Sequence, residues 1–403
     1  MSESKVDSAK NNMSFEEFKS SVLNDYRLAV ESREASLIGR REVLTGKAKF
    51  GIFGDGKELP QIAWAKVFKD GDFRSGYYRD QTFMMAIGAL STKEFFASLY
   101  ADTNHEHEPA SAGRQMNGHF ATQSLDANGN WKELTAQKNS SADISPTAGQ
   151  MPRLVGLAEA SKHYRNNKGL KDWKQFSKNG DEIAWGTIGN ASTSEGPFFE
   201  AINAAGVLQI PMVISVWDDD YGISVHAKHQ TTKENISEIL KGFQRDGDSN
   251  GYEILRVKAW DYSALIETYE KAEKIARKKH IPVLVHVSEV TQPQGHSTSG
   301  SHERYKNEQR LNWEREFDCI KKMREFMITS AIASDEELDE LEKGAKKAAR
   351  EAKAEAWKEF IGPIKAEIKE AIGLLEEAQS IASNPAAIET MLNDLKANTE
   401  PLR

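Results

Sequence analysis

Two polar loops carry the side chains best suited to chemistry. Gly189-Asn190-Ala191 and Asp218-Asp219-Asp220-Tyr221 each follow an apolar run that reads as a strand, and they lie about 30 residues apart. Two strand ends joined by one helix converge in a βαβ unit. The Asn190 amide oxygen, the Asp219 carboxylate and a backbone carbonyl can therefore meet on one ion. With diphosphate oxygens added, that set suits the octahedral preference of magnesium. A helix starting near Gly196 aims its free N–H groups at the same place, as an anion requires. The alternative reading of these residues alone is a pair of polar loops with acidic caps.

Three other groupings read as structural. Gly54-Asp55-Gly56 leads into KELPQIAWAKVF with no acid or amide pair at a matching distance, and reads as a turn before a helix. His105 and His107 have metal-like spacing but sit in a polar run with no further ligand set. Cys319, the single cysteine, lies on an amphipathic helix and reads as packing.

The elements that must position the two loops follow from periodicity. Ser14 and Glu17 form a capping box, and Phe18, Val22, Tyr26 and Val30 continue at helical spacing, so a helix runs to about residue 40. Residues 1–13 read as a disordered tail, and Ala101 to Ser140 as long loops without a convincing strand. Ile183–Ile188, Met212–Trp217, Tyr252–Ala259 and Pro282–Val287 read as strands. Helices are expected between the first two, near 196–207, and between the last two, near 263–279. That alternation predicts an α/β fold with a doubly wound, mostly parallel sheet, an N-terminal helical segment and a long helical C-terminal region. The expected organisation is a tail at 1–13, an α/β domain at 14–305 and a charged helical region at 306–403, read as solvated helices or an extended helical arm. Ligands on such sheets sit at the carboxyl ends of the strands.

Composition sets outer bounds. The 403 residues include 53 Lys plus Arg against 61 Asp plus Glu, a net charge of −8, which gives no reason to expect nucleic acid as a partner. One cysteine excludes an intramolecular disulfide framework and suits a reducing, cytoplasmic setting. No apolar run approaches the roughly 20 residues of a membrane helix.

Five segments then carry a family resemblance. GNASTSEGPFFEAINAAGVLQIPMVISVWDDDYGIS resembles the thiamin-diphosphate motif of 2-oxo acid dehydrogenase alpha subunits. SGYYRD (Ser75 to Asp80), GRQMNGH (Gly113 to His119), SPTAGQMPRLVG (Ser145 to Gly156) and GHSTS (Gly295 to Ser299) resemble further family segments, in the family's order. The likeness covers about residues 40 to 305 and leans toward the branched-chain type.

The resemblance implies that Asn190, Asp219 and the Tyr221 carbonyl hold the metal. Tyr78, Arg79 and His296 would face the diphosphate, with His296 as the catalytic candidate. Ser145, Thr147, Gly189, Ala191 and Ser192 would complete the cofactor pocket, and His119 reads as a polar staple. It further implies oxidative decarboxylation of a 2-oxo acid, branched-chain before pyruvate, and acyl transfer to a lipoyl-bearing acyltransferase. A beta subunit, or a beta half fused downstream, would complete the site in a heterotetramer. Alternatives are an acetoin-type thiamin enzyme and a scaffold that kept the fold without the cofactor.

Three departures bear on the site. Asn190 stands for an acidic ligand, Asp218-Asp219 for an Asn pair, and Trp217 for an Arg directed at the diphosphate in branched-chain members. Phosphate affinity is thereby expected to lean on Arg79 and His296.

Overall fold

The computed structural model describes residues 14–398 and 401; the expected tail at 1–13 lies outside them. The helices are α1 (Phe15–Leu44), α2 (Glu58–Val67), α3 (Gln81–Ala86), α4 (Thr92–Tyr100), α5 (Gln150–Asn166), α6 (Gly196–Leu208), α7 (Ile236–Ile239), α8 (Tyr262–Lys279), α9 (Glu308–Glu316), α10 (Cys319–Thr329), α11 (Asp335–Ile381) and α12 (Ala386–Ala397). The strands are β1 (Phe73–Ser75), β2 (Asn139–Ser140), β3 (Ala184–Gly189), β4 (Met212–Trp217), β5 (Tyr221–Gly222), β6 (Val225–His226), β7 (Glu253–Lys258) and β8 (Val283–Ser288).

Six strands form one all-parallel sheet in the order β2-β1-β3-β4-β8-β7, and β5 with β6 makes a small antiparallel hairpin. The fold is therefore the expected doubly wound α/β architecture. From β1 the chain crosses to β2 on one side and then to β3 on the other. The loops after β1 and β3 thus flank the point where the order reverses, which is where such sheets bind ligands.

Continuous apolar runs form the central strands because both faces are covered. Met212, Ile214 and Val216 pack with Leu154, Phe198 and Ile202 on one face. Val213 and Trp217 pack with Trp64, Leu265 and Tyr269 on the other. The capping box at Ser14 forms as expected: its hydroxyl accepts the Glu17 N–H, and Glu17 reaches back to the Ser14 N–H.

Two features depart from the sequence expectation. The stretch from Ala101 to Ser140 does contain a strand, the two-residue β2 paired with β1. Its lack of periodic pattern follows from its length. The C-terminal helices are also more than a solvated arm. Cys319, Met323, Met327, Leu338 and Ala345 belong to the same core as α2 and α8. Ala349 and Ala356 pack with residues of α1 and α4. Leu338, Ala345, Ala349 and Ala356 recur seven, four and seven residues apart, a narrow apolar seam of one leucine and three alanines along α11. The last buried residue of α11 is Ile364, directly after Pro363. Among the described residues, no helix is long and apolar enough to cross a membrane.

His280 caps α8 in the left-handed conformation and donates Nε2–H to the Gly180 carbonyl. Burial, followed by the charge of Arg165, pushes its pKa from 6.5 down to about 4. The unfolded chain therefore takes up a proton at higher pH than the fold does. Stability is complete above about pH 6.5 and falls, by about 1.4 kcal/mol per unit at most, as pH drops toward 4. Thermal melting of wild type against His280→Asn, which also tolerates left-handed backbone, should show a flatter acid limb in the variant.

Candidate active site

The carboxyl edge of the sheet is pinned by a buried ion cluster. Arg74, in β1, donates through Nε to Asp80 at 2.8 Å and through Nη2 to Asp143 at 2.9 Å. Asp80 also accepts from the Thr187 hydroxyl of β3 at 2.6 Å, and Asp143 from the Phe120 N–H at 3.0 Å. A Cβ on Gly76 would stand 2.0 Å from the Asp80 carboxylate, so only glycine lets the chain turn around this cluster. The turn delivers Tyr77, Tyr78 and Arg79 to the sheet edge.

The loops after β1, β3 and β4 meet there. The Tyr77 hydroxyl lies within 3.7 Å of where a Gly189 side chain would begin, and Gly222 has no room for a side chain against Ala191. The Asn190 N–H donates to the Trp217 carbonyl at 3.0 Å, tying the β3 and β4 ends together. Asn190 is buried, and Ala191 and Ser192 follow in a short 3-10 turn before α6. No side chain caps the α6 N-terminus.

Arg79 and His296 form the centre of the site. The buried Arg79 guanidinium donates to the Phe53 carbonyl at 2.7 Å, to the His296 carbonyl at 3.0 Å and to His296 Nδ1 at 2.9 Å. The Tyr78 ring lies 5.3 Å from the guanidinium carbon. Because Nδ1 accepts from Arg79, the neutral His296 ring carries its proton on Nε2, an assignment made from this network. Burial, then the adjacent Arg79, pushes the His296 pKa down to about 4, so the ring is neutral at physiological pH.

The three consecutive aspartates divide their tasks. Asp218 pairs with the buried His286 at 2.8 Å, and His286 in turn meets the Ser237 hydroxyl. Asp220 pairs with Arg310, which also donates to the Asp219 carbonyl at 2.9 Å. Asp219 keeps its own carboxylate at the site, accepting the Tyr221 N–H at 3.1 Å. Asp218 and Asp220 are thus engaged by His286 and Arg310 rather than by Lys57.

One residue here was missed by the sequence reading. Lys57 follows the Gly54-Asp55-Gly56 turn and is the N-cap residue of α2. Its Nζ lies 3.7 Å from Asp219 Oδ2, with only 1% of the side chain exposed. Burial pulls its pKa down, while Asp219 pulls it up. Nothing local marks Lys57, since only the fold brings it to Asp219. The preceding turn is structural as expected: Asp55 accepts the Gln294 N–H at 3.0 Å and so anchors the loop that carries His296.

The remaining candidates are placed less centrally. Ser145 is exposed and its hydroxyl meets His119 Nε2 at 3.0 Å, while His119 Nδ1 meets the Met116 carbonyl. His119 is a polar staple, as expected. Thr147 is exposed, with no side-chain hydrogen bond to the cluster among the described residues. His107 pairs with Asp102 rather than facing His105. No group of three or more His, Cys, Asp or Glu residues gathers at one point among the described residues. Cys319 is buried as expected, but among charges: its thiol lies 3.2 Å from Glu58, which Arg33 also engages.

The family model for the dehydrogenase E1 component matches residues 27–364. The chain belongs to the dehydrogenase E1 component family. It is 27% identical over 295 residues to the 2-oxoisovalerate dehydrogenase subunit alpha of Bacillus subtilis (strain 168), covering 72% of this chain and 77% of that one. The mitochondrial 2-oxoisovalerate dehydrogenase subunit alpha of Dictyostelium discoideum is 25% identical over 317 residues, or 78% of this chain and 63% of its own length. The pyruvate dehydrogenase E1 component subunit alpha of Rickettsia bellii (strain RML369-C) is 22% identical over 203 residues, 50% of this chain and 55% of its own. The chain thus spans less than two thirds of the latter two relatives. Membership in the dehydrogenase E1 component family carries a dependence on thiamin diphosphate.

The E1 family match ends at Ile364, the last buried residue of α11. Within this E1 chain, α1 also serves the site. Arg40 donates through Nη1 to the Gln294 and Ser297 carbonyls, both at 3.2 Å, and so braces the loop around His296. Thr298 adds a second brace, exchanging hydrogen bonds with Gly51 at 2.9 Å. Arg40→Ala should speed amide exchange across residues 294–300 at least about tenfold while shifting global stability by about 1 kcal/mol or less. Hydrogen-exchange mass spectrometry against a urea melt separates the two effects.

Proposed function

We propose that this chain is the alpha subunit of a cytoplasmic, thiamin-diphosphate-dependent 2-oxo acid dehydrogenase. Its reaction would be oxidative decarboxylation of a 2-oxo acid, with the acyl group passed to the lipoyl domain of an acyltransferase. Branched-chain 2-oxo acids are favoured and pyruvate is next, in keeping with the names of its relatives. A beta subunit, or a fused beta half, would complete the site in a heterotetramer. The observation that carries the reading is the contact between the buried Arg79 and the half-buried His296, on the carboxyl edge of a parallel sheet in an E1 family chain.

The residues present fit the cofactor's diphosphate. Of the five N–H groups of an arginine, Arg79 commits three to Phe53 and His296, which fixes its plane and leaves two for an anion. At the start of α6, Pro197 has no N–H and the Phe198 N–H is taken by the Glu195 carbonyl, which leaves the Gly196 N–H of the first three residues to add to this. Asn190, Asp219 and the Tyr221 carbonyl offer oxygen donors of the kind magnesium prefers. Gly189, Ala191 and Ser192 would form the floor of this end of the pocket, and Tyr78 its wall. Ser145 and Thr147 would reach the ligand only from the rim.

When bound, thiamin diphosphate supplies the nucleophilic carbon and the electron sink for decarboxylation. The chain's part is to bind, orient and donate. His296 holds a proton on Nε2 at neutral pH because Arg79 occupies Nδ1. It can give that hydrogen bond to a phosphate oxygen or to oxygen charge developing on the substrate. Asp55, Arg40 and Thr298 hold the loop that aims it.

Calorimetric titration of thiamin diphosphate with magnesium tests this reading, on the chain alone and with a beta partner. Binding should be metal-dependent, tighten with the partner, and weaken about tenfold or more in Asn190→Leu, the scale of losing one ligand. Absence of binding even with the partner would overturn the reading. Reductive acylation of a lipoyl domain then ranks the branched-chain acids against pyruvate.

A further inference from the structure

Lys57 is a buried cation at the site whose donors the rest of the structure leaves unused. It is 1% exposed, among the largest side chains sealed from solvent, and its Nζ has no hydrogen-bond partner. Asp219 Oδ2, at 3.7 Å, compensates the charge but is too distant for a hydrogen bond. A buried ammonium normally satisfies its donors, because a buried polar group left without a partner is costly. Neighbouring cations do satisfy theirs: Arg79 is bonded to Phe53 and His296, Arg310 to Asp220 and Glu314, and Lys306 to Glu314. Lys57 therefore holds unused donors beside Asp219, Arg79 and His296.

We propose that Lys57 is a binding residue for the diphosphate of thiamin diphosphate, its ammonium donating to a phosphate oxygen while Asp219 holds it in place. This rests on the thiamin-diphosphate reading above and adds to it a chain-borne cation alongside the metal. Asp219 then has two roles, steadying Lys57 and offering oxygen to the metal. The consequence is specific: part of the affinity for diphosphate persists without a divalent ion. The ammonium and the metal share one electrostatic task, so losing Lys57 makes binding more dependent on the metal.

The test is titration of the full chain with thiamin diphosphate and with inorganic diphosphate, each in excess magnesium and in EDTA. Wild type, Lys57→Met and Lys57→Arg are compared by calorimetry, with circular dichroism confirming the fold. In EDTA, Lys57→Met should bind both ligands about tenfold or more weakly than wild type, the fold-change a charge-assisted hydrogen bond carries. Lys57→Arg should keep binding within about threefold, and magnesium should restore a larger factor to Lys57→Met than to wild type. If Lys57→Met does not fold, Lys57→Gln, which keeps length and polarity without charge, takes its place. Equal affinities for wild type and the uncharged variant would overturn the Lys57 assignment and leave the functional reading standing. Equal losses in Lys57→Arg and the uncharged variant would also overturn it, since charge would then not be what matters. A wild-type chain that binds neither ligand with magnesium present would overturn both.

Discussion

A guanidinium and two carboxylates, all without exposure to solvent, hold the carboxyl edge of the sheet together. Arg74 bridges Asp80 and Asp143, and these three side chains join β1, the segment after β2, and β3 through Thr187. Burying three charges is costly, and good geometry with further hydrogen bonds is what offsets that cost. Here Ser140, the Tyr77 carbonyl, the Tyr77 N–H and the Phe120 N–H supply those bonds. Burial nonetheless pushes the Asp80 carboxyl up, with the charge of Arg74 the largest influence against it. β1 and β2 have only three and two residues and could not hold their place by backbone pairing alone. Tyr78 and Arg79 are where they are because this cluster closes.

From that edge outward, the site is an exercise in separating like charges. Three aspartates in a row would repel one another and any diphosphate. The fold sends Asp218 inward to His286 and Asp220 outward to Arg310, leaving Asp219 alone among Lys57, Arg79 and His296. Trp217, where branched-chain relatives are expected to carry an Arg, lies wholly in the core and brings no charge. The positive groups beside Asp219 come instead from β1's loop and the N-terminus of α2.

The C-terminal region follows the same economy of contacts. The 47-residue α11 is rich in strong helix formers, and its first half lies along α1 and α4 through alanines that permit close approach. Beyond Ile364 no residue of α11 is buried, and Leu374 and Ile381 are exposed. The family likeness ends at Ile364, the last buried residue of α11, and beyond it α12 buries Leu392.

The amino-acid sequence by itself determined the central βαβ units, the α1 cap, the loops that end β3 and β4, and the family. Each of these is written in consecutive residues: apolar runs covered on both faces, Ser14 with Glu17, the Gly189 to Ser224 motif. Asn190 and Asp219 were read from that motif, Arg79 and His296 from the family resemblance, and the fold brings Arg79 and His296 into contact. Only the tertiary structure decided the rest. The short strands β1 and β2 carry too few residues to show a period, and their pairing depends on Arg74 reaching two distant carboxylates. Arg40 looks like any helix-surface arginine until the His296 loop folds over it. Lys57 reads as the solvated start of a helix, and becomes a buried cation because the fold sets that helix end against Asp219. Local pattern fixes what a segment becomes, but charge pairing across the sheet edge depends on distances that exist only once the segments have packed.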